Sequence, residues 1–350
     1  MIKQTNIHQV LLKYWGYNAF RELQEDIITA VLEGKDTLAL LPTGGGKSIC
    51  FQVPALAKDG ICIVISPLIA LMKDQVENLV KRGIKATAIY SGMTKREIDI
   101  AIDNCVYGDY KFLYISPERI ETDIFKARLP KMNVNLFAID ESHCISQWGY
   151  DFRPSYLNIV KLRELKPEVP FLALTATATT DVVKDIQQKL GFKKENVLQK
   201  SFERKNIAYV VIYEEDKLKR LLKILSKIKG TSVVYVGTRK KTKEVAQFLI
   251  QQGVSADYYH AGLSNQERSV KQNNWISNQT RVIVSTNAFG MGIDKPDVRT
   301  VVHLDLPNSL EAYFQEAGRA GRDEQKAYAV LLVEQADRLD LEKQIINSFP

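Results

Sequence analysis

Cysteine is scarce in this sequence: four in 350 residues, Cys50, Cys62, Cys105 and Cys144, with no C-x-x-C pair among them. That spacing supplies neither a disulfide framework nor a zinc site, so the thiols read as reduced and mostly buried. Long apolar runs are missing too, none approaching the ~18 residues of a membrane span. Residues 1–9 hold no apolar stretch of the kind a secretory signal needs. The expected setting is the cytoplasm, with no membrane partner. Low-complexity segments and short repeats are also absent, and 45% hydrophobic with 25% charged residues excludes a disordered chain.

What is present is enough chain for about two domains. The net charge of +7 and pI near 9.0 favour a polyanionic partner. Short runs rich in Ile, Val, Leu, Ala and Phe recur at 36–41, 61–65, 86–90, 112–116, 136–140 and 171–175. They suit strands buried on both faces. Stretches with helical spacing, such as Leu68–Arg82 and Asp181–Leu190, lie between them. Strand and helix in alternation predict an α/β fold with parallel sheets. After the polar stretch 201–206 the pattern restarts, with strands at 207–213, 232–236, 255–259, 281–286, 300–304 and 327–333. Helices fill 216–229, 240–252, 265–277 and 309–317. The expected domains are 1–203 and 204–335, and 336–350 reads as a helix leading toward an absent domain.

Three motifs carry chemistry. Leu38 to Ser48 is a strand running into a Gly-rich loop and a helix start. Thr43, Gly44, Gly45 and Gly46 let backbone N–H groups wrap a phosphate chain. Lys47 reaches the β- and γ-phosphates, and the Ser48 hydroxyl ligates Mg²⁺. The strict pattern has Gly at position 41, where this chain has Leu41; the variant T-G-x-G-K-S keeps the chemistry. Leu136 to Glu141 is an apolar strand ending in two carboxylates. Asp140 suits coordination of Mg²⁺ and Glu141 suits orienting or deprotonating water. In Gln315 to Arg322, helical spacing places Gln315, Arg319 and Arg322 on one face, with Gly318 and Gly321 between them. The two arginines read as a pair offered to a γ-phosphate.

Together these blocks resemble the superfamily 2 helicases, and the fuller match is to the RecQ family of DNA helicases over nearly the whole chain. The segment from Trp15 through Gln24 resembles that family's adenine-recognition motif, which implies Gln24 on the adenine edge and Tyr17 and Arg21 stacked on the base. Ser66 to Gln75 and Tyr114 to Arg119 resemble its nucleic-acid-facing motifs, Leu174 to Thr179 and Val284 to Asp294 its coupling motifs. Ser66, Ser116, Arg119 and Thr286 are the strand contacts these imply. The most diagnostic block is Asp140 to Pro154, similar to the RecQ aromatic-rich loop. Trp148, Tyr150, Phe152 and Arg153 make a platform for unpaired bases. Two departures stand out: Ser142 where the family usually has Ala, and Tyr150 where it usually has His.

The resemblance implies two RecA-like domains flanking an ATP cleft, with ATP and Mg²⁺ as cofactors and no zinc. It implies single-stranded and branched DNA as partners, 3′→5′ movement, and work in DNA repair or recombination, at the nucleoid if bacterial. Full RecQ proteins usually continue into a four-cysteine zinc module and a winged helix, but no cysteine follows Cys144. The alternatives are an RNA-directed ATPase of the same superfamily and an ATP-responsive binding or annealing module.

Overall fold

The computed structural model describes every residue except 1–5, 43, 150, 177, 290–294, 338, 340, 341 and 343–350, together with the side chain of residue 265. The chain divides into two compact units, one ending at Phe202 and the other beginning at Glu203.

In the first unit seven strands form one sheet: β1 (Thr37–Leu40), β2 (Ile61–Ile65), β3 (Ala86–Ile89), β4 (Phe112–Ile115), β5 (Val134–Ile139), β6 (Phe171–Thr175) and β7 (Val197–Gln199). They run in the order β3-β4-β2-β5-β6-β1-β7, and every pairing is parallel. Side chains alternate between two cores, one on each face. Ile61, Ile63 and Ile65 of β2 join one; Cys62 and Val64 join the other. Full burial of such a side chain contributes about 1.5–3 kcal/mol, which is why these runs carry no polar alternation. β7 has no counterpart in the sequence reading: its three residues are partly exposed and too short for a periodic signal. All four cysteines are buried and free, and burial raises each thiol's pKa.

The second unit holds β8 (Ile207–Tyr213), β9 (Thr231–Tyr235), β10 (Ala256–Tyr259), β11 (Val282–Ser285), β12 (Val298–His303) and β13 (Ala327–Val333). Their order is β10-β11-β9-β12-β13-β8, again all parallel. A parallel sheet sends every strand's C-terminal end to one edge, and in each unit the loops at that edge carry the motifs. Of the helix expected over 336–350, most lies outside the described residues.

One expectation fails. Gln315, Arg319 and Arg322 do not share a helix face, because the helix Leu310–Ala317 ends before the arginines. Gly318 caps it, and the chain turns through 318–323. Gly321 sits at φ +57° while its N–H donates to the Val298 carbonyl at 2.8 Å. A Cβ there would meet Asn206 Nδ2 at 2.5 Å, Gln325 O at 2.7 Å and Ala327 Cβ at 2.9 Å. The glycines therefore make the turn and let it press against the sheet.

Gly321→Ala is expected to destabilise the second unit by about 2–4 kcal/mol, combining left-handed strain with overpacking. Gly253→Ala, at φ +74° with nothing within 4 Å, should cost only about 1 kcal/mol. Urea unfolding followed by Trp275 fluorescence, in a Trp15→Phe/Trp148→Phe background, separates the two; equal midpoints would contradict the packing argument.

Candidate active site

β1 passes the chain to Leu41 and Pro42, then to the glycines that open the helix Lys47–Ala57. Gly44 and Gly46 have φ of +82° and +75°, the left-handed region that glycine enters without strain. A Cβ on Gly46 would collide with the Gln24 amide nitrogen, and one on Gly45 would lie 2.8 Å from the Pro42 carbonyl. No side chain caps the helix, which leaves its first N–H groups for an anion. Thr43 lies outside the described residues.

The segment before the loop is bound to it. Leu23 takes the left-handed conformation, φ +65°, and turns the chain into the helix Gln24–Leu32. Gln24 is buried; its Oε1 accepts from the Arg21 N–H at 2.9 Å and its Nε2 donates to the Gly45 and Gly46 carbonyls at 3.3 and 3.2 Å. Arg21 Nη1 donates to the Gly44 carbonyl at 2.7 Å. Tyr17 is exposed. Both ends of the Gln24 amide are thus engaged with this segment and the phosphate loop, and reading an adenine edge requires it to exchange those partners.

The acid pair stands at the end of β5. The Asp140 N–H donates to the Ile65 carbonyl at 2.9 Å, Oδ1 accepts from the Glu141 N–H at 3.0 Å, and the Tyr156 hydroxyl donates to the Asp140 carbonyl at 2.9 Å. Burial and the adjacent Glu141 push the Asp140 carboxyl up, to about 7, against the pull of the Lys47 charge. Glu141 occupies φ +48°, a conformation costing about 1–2 kcal/mol outside glycine. Its Oε2 is buried, accepts no hydrogen bond, and lies 3.4 Å from His143 Nδ1. That same nitrogen is 2.9 Å from Thr175 Oγ1 at the end of β6. Burial lowers the His143 pKa, with Glu141 opposing, so a neutral imidazole bridges β5 to β6.

Beyond Glu141, the 3₁₀ turn Ser142–Ile145 leads into the aromatic segment. Trp148 is 79% exposed, the one ring of that segment fully available among the described residues. Phe152 is half-buried with Lys189 Nζ 5.9 Å from its centre, and Tyr150 lies outside the described residues. Arg153 binds Asp151 at 2.9 Å and the Pro67 carbonyl at 3.3 Å, so it ties the segment to residues that follow β2. His143, Cys144 and Asp151 bring potential metal donors within 4.8 Å of one another. Asp151 already holds Arg153, and burial keeps the Cys144 thiol protonated. Ser66 is 1% exposed with an unpartnered hydroxyl, so it presents no surface for a strand. Ser116 and Arg119 flank and line a 3₁₀ turn after β4, both half-buried.

In the second unit, Thr286 lines a cavity of about 110 Å³ at the ends of β9, β11 and β12, with Tyr235, His303, Asp305 and Glu316. His303 Nε2 is 2.8 Å from Glu316 Oε2, and the His303 ring stacks on Tyr235. Arg319 is 6% exposed and hydrogen-bonded to the Tyr235 hydroxyl, which donates to the Phe289 carbonyl at 2.8 Å. Arg322 and Gln315 are half-buried. Sequence reading missed Tyr235 and His303; both close a strand, and the symmetry of the two halves was the available signal.

Residues 21–186 match the model of the DEAD/DEAH box helicases and residues 216–324 that of the helicase conserved C-terminal domain. The chain is 44% identical over 347 residues to the ATP-dependent DNA helicase RecQ of Pasteurella multocida strain Pm70, covering 99% of this chain and 55% of that protein. It is 42% identical over 348 residues to the probable ATP-dependent DNA helicase RecS of Bacillus subtilis strain 168, covering 98% of this chain and 70% of that protein. The chain belongs to the RecQ family. It spans about half the length of the Pasteurella relative. S. cerevisiae Dbp5 bound to RNA and ADP BeF3 shares the fold, with a TM-score of 0.76 at 19% identity over 99% of this chain and 92% of that one. The two units are thus RecA-like parallel-sheet domains.

Against the RecQ pattern, Ser142 buries a hydroxyl that has no hydrogen-bond partner, at a cost of about 1–3 kcal/mol that the family's usual Ala avoids. Asp140 gives the RecQ-family site a pH signature. Its folded pKa of about 7 exceeds the ordinary 3.8, so the folded chain holds an extra proton between those values. Stability from this group is therefore lost as pH rises through that window, and the full cost of the buried charge stands above it. Asp140→Asn should raise the Tm more at pH 8 than at pH 4.5. Calorimetry in EDTA checks this; equal shifts at both pH values would refute it.

Proposed function

We propose that the chain is an ATP-dependent DNA translocase and helicase that couples hydrolysis to movement along single-stranded DNA. Single-stranded and branched DNA are its substrates, 3′→5′ its direction, DNA repair or recombination its purpose, and the cytoplasm or a bacterial nucleoid its place. The observation that carries this is the convergence of Lys47, Asp140 and Glu141, in which the Lys47 charge acts directly on the Asp140 carboxyl. One cation for phosphates beside one carboxylate for a metal is the donor set that ATP·Mg²⁺ requires. The glycine cradle and the unpartnered Glu141 oxygen fit the same ligand.

In this reading Thr43 to Ser48 hold the phosphates, and Tyr17, Arg21 and Gln24 hold the adenine. Ser48 and Asp140 hold Mg²⁺, which when bound neutralises phosphate charge. Glu141 orients the attacking water and takes its proton. Arg322 supplies the transition-state cation, with Arg319 and Gln315 fixing the turn that carries it. Trp148 stacks an unpaired base, worth about 1–3 kcal/mol, and Tyr150, Phe152, Arg153, Ser116, Arg119 and Thr286 complete the strand contacts. Trp148 and the acid pair lie on one short stretch of chain, so a strand held at the loop is felt at Glu141. No zinc is needed for any of these steps.

The test is ATP hydrolysis without nucleic acid, with single-stranded DNA and with matched RNA, using Lys47→Ala as the blank. Strong stimulation by DNA and little by RNA is expected. Arg322→Ala should keep nucleotide affinity within about twofold while turnover falls ~10³-fold. Equal stimulation by RNA would move the reading to an RNA-directed ATPase, and hydrolysis indifferent to strand would leave a nucleotide-responsive binding module.

A further inference from the structure

Ser48 does not stand alone on its helix. Gln75 Nε2 donates to Ser48 Oγ at 2.8 Å, from the helix Ile69–Lys81. The other end of that amide is held by two donors: Gln75 Oε1 accepts from Gln52 Nε2 at 3.1 Å and from the Tyr114 hydroxyl at 3.2 Å. Gln52 lies one turn beyond Ser48 on the same helix face, and Tyr114 comes from β4. Both are buried, 5% and 1% exposed. With Oε1 fixed by two donors, the amide can offer only its N–H to Ser48.

That offer has a chemical consequence. A serine hydroxyl has two lone pairs and one proton. The Gln75 N–H takes one lone pair, so one direction is left for a metal and the proton is turned elsewhere. Apolar side chains would pack a helix on a sheet equally well, whereas a buried amide and phenol left unpaired cost about 1–3 kcal/mol each. What this network adds is a fixed direction for one hydroxyl. Its members also come from the elements that follow Ser66 and precede Ser116, and Pro67, near the start of the Gln75 helix, accepts from Arg153.

We propose that Gln75 is a positioning residue that sets the Ser48 hydroxyl for the nucleotide-bound divalent cation and ties that setting to the 66–75 segment. The proposal rests on the ATP-site reading above. The probe is a fluorescent non-hydrolysable nucleotide, N-methylanthraniloyl AMP-PNP, titrated onto the full chain in EDTA and in saturating Mg²⁺. The gain in affinity on adding Mg²⁺ is the readout. In Gln75→Met the affinity in EDTA should stay within twofold of the parent, while the Mg²⁺ gain shrinks roughly three- to tenfold, the worth of one hydrogen bond. Tyr114→Phe keeps the ring in the core and removes one donor to Gln75; it should shrink the gain in the same direction by less, and it carries the test if Gln75→Met fails to fold. An unchanged gain in both variants, beside a lost gain in Ser48→Ala, overturns the proposal and leaves the ATP-site reading standing. A full gain in Ser48→Ala overturns the proposal and removes Ser48 from the Mg²⁺ site.

Discussion

Two adjacent carboxylates and one ammonium share a largely dry edge of a parallel sheet, and much else in the first unit follows from holding them there. Asp140 is raised because Glu141 and burial act together, and Lys47 moderates the effect. Glu141 is buried and Asp140 only partly exposed, and each is held by its surroundings. The Asp140 backbone is pinned to β2 through the Ile65 carbonyl and to Tyr156. Glu141 is turned into a left-handed conformation that a strand end can hold only when its neighbours over-determine it. His143 then closes the space between Glu141 and Thr175.

The phosphate loop is built on the same principle with opposite parts. Its glycines let the loop turn, the Gly45 N–H donating to the Pro42 carbonyl at 2.8 Å, while Gln24 and Arg21 hold the Gly44, Gly45 and Gly46 carbonyls. A segment expected to recognise a base thus also braces the loop that holds phosphates. Ser48 is braced in turn by Gln75. The phosphate loop and the aromatic segment are each tied by a side-chain hydrogen bond to the stretch after β2, Ser48 through Gln75 and Arg153 through the Pro67 carbonyl.

Much of this was legible in the sequence, for identifiable reasons. Among the described residues, twelve of the thirteen strands announce themselves as short apolar runs, most of them buried on both faces; β8 and β10 are partly exposed yet still read as strands, and the short β7 escapes. The phosphate loop and acid pair are local motifs, so spacing alone finds them. Long-range polar partners are not local: the motifs that contain Gln75 and Tyr114 do not show that the two bond to each other, and only the likeness of the two halves pointed to Tyr235 and His303. The helix drawn through Arg319 and Arg322 failed because spacing cannot distinguish a glycine tolerated in a helix from one that ends it. Ser66 shows a related limit, since a motif names a residue without saying that its hydroxyl is buried.

The measurement that tests the electrostatic core most directly is a ¹³C titration of the Asp140 carboxyl, assigned by difference against Asp140→Asn. It is made in the parent, in Glu141→Gln and in Lys47→Met. The account predicts a pKa well above the ordinary carboxylate value in the parent, a lower one when Glu141 loses its charge, and a higher one when Lys47 loses its own. An ordinary value in the parent, or one indifferent to both substitutions, would contradict it.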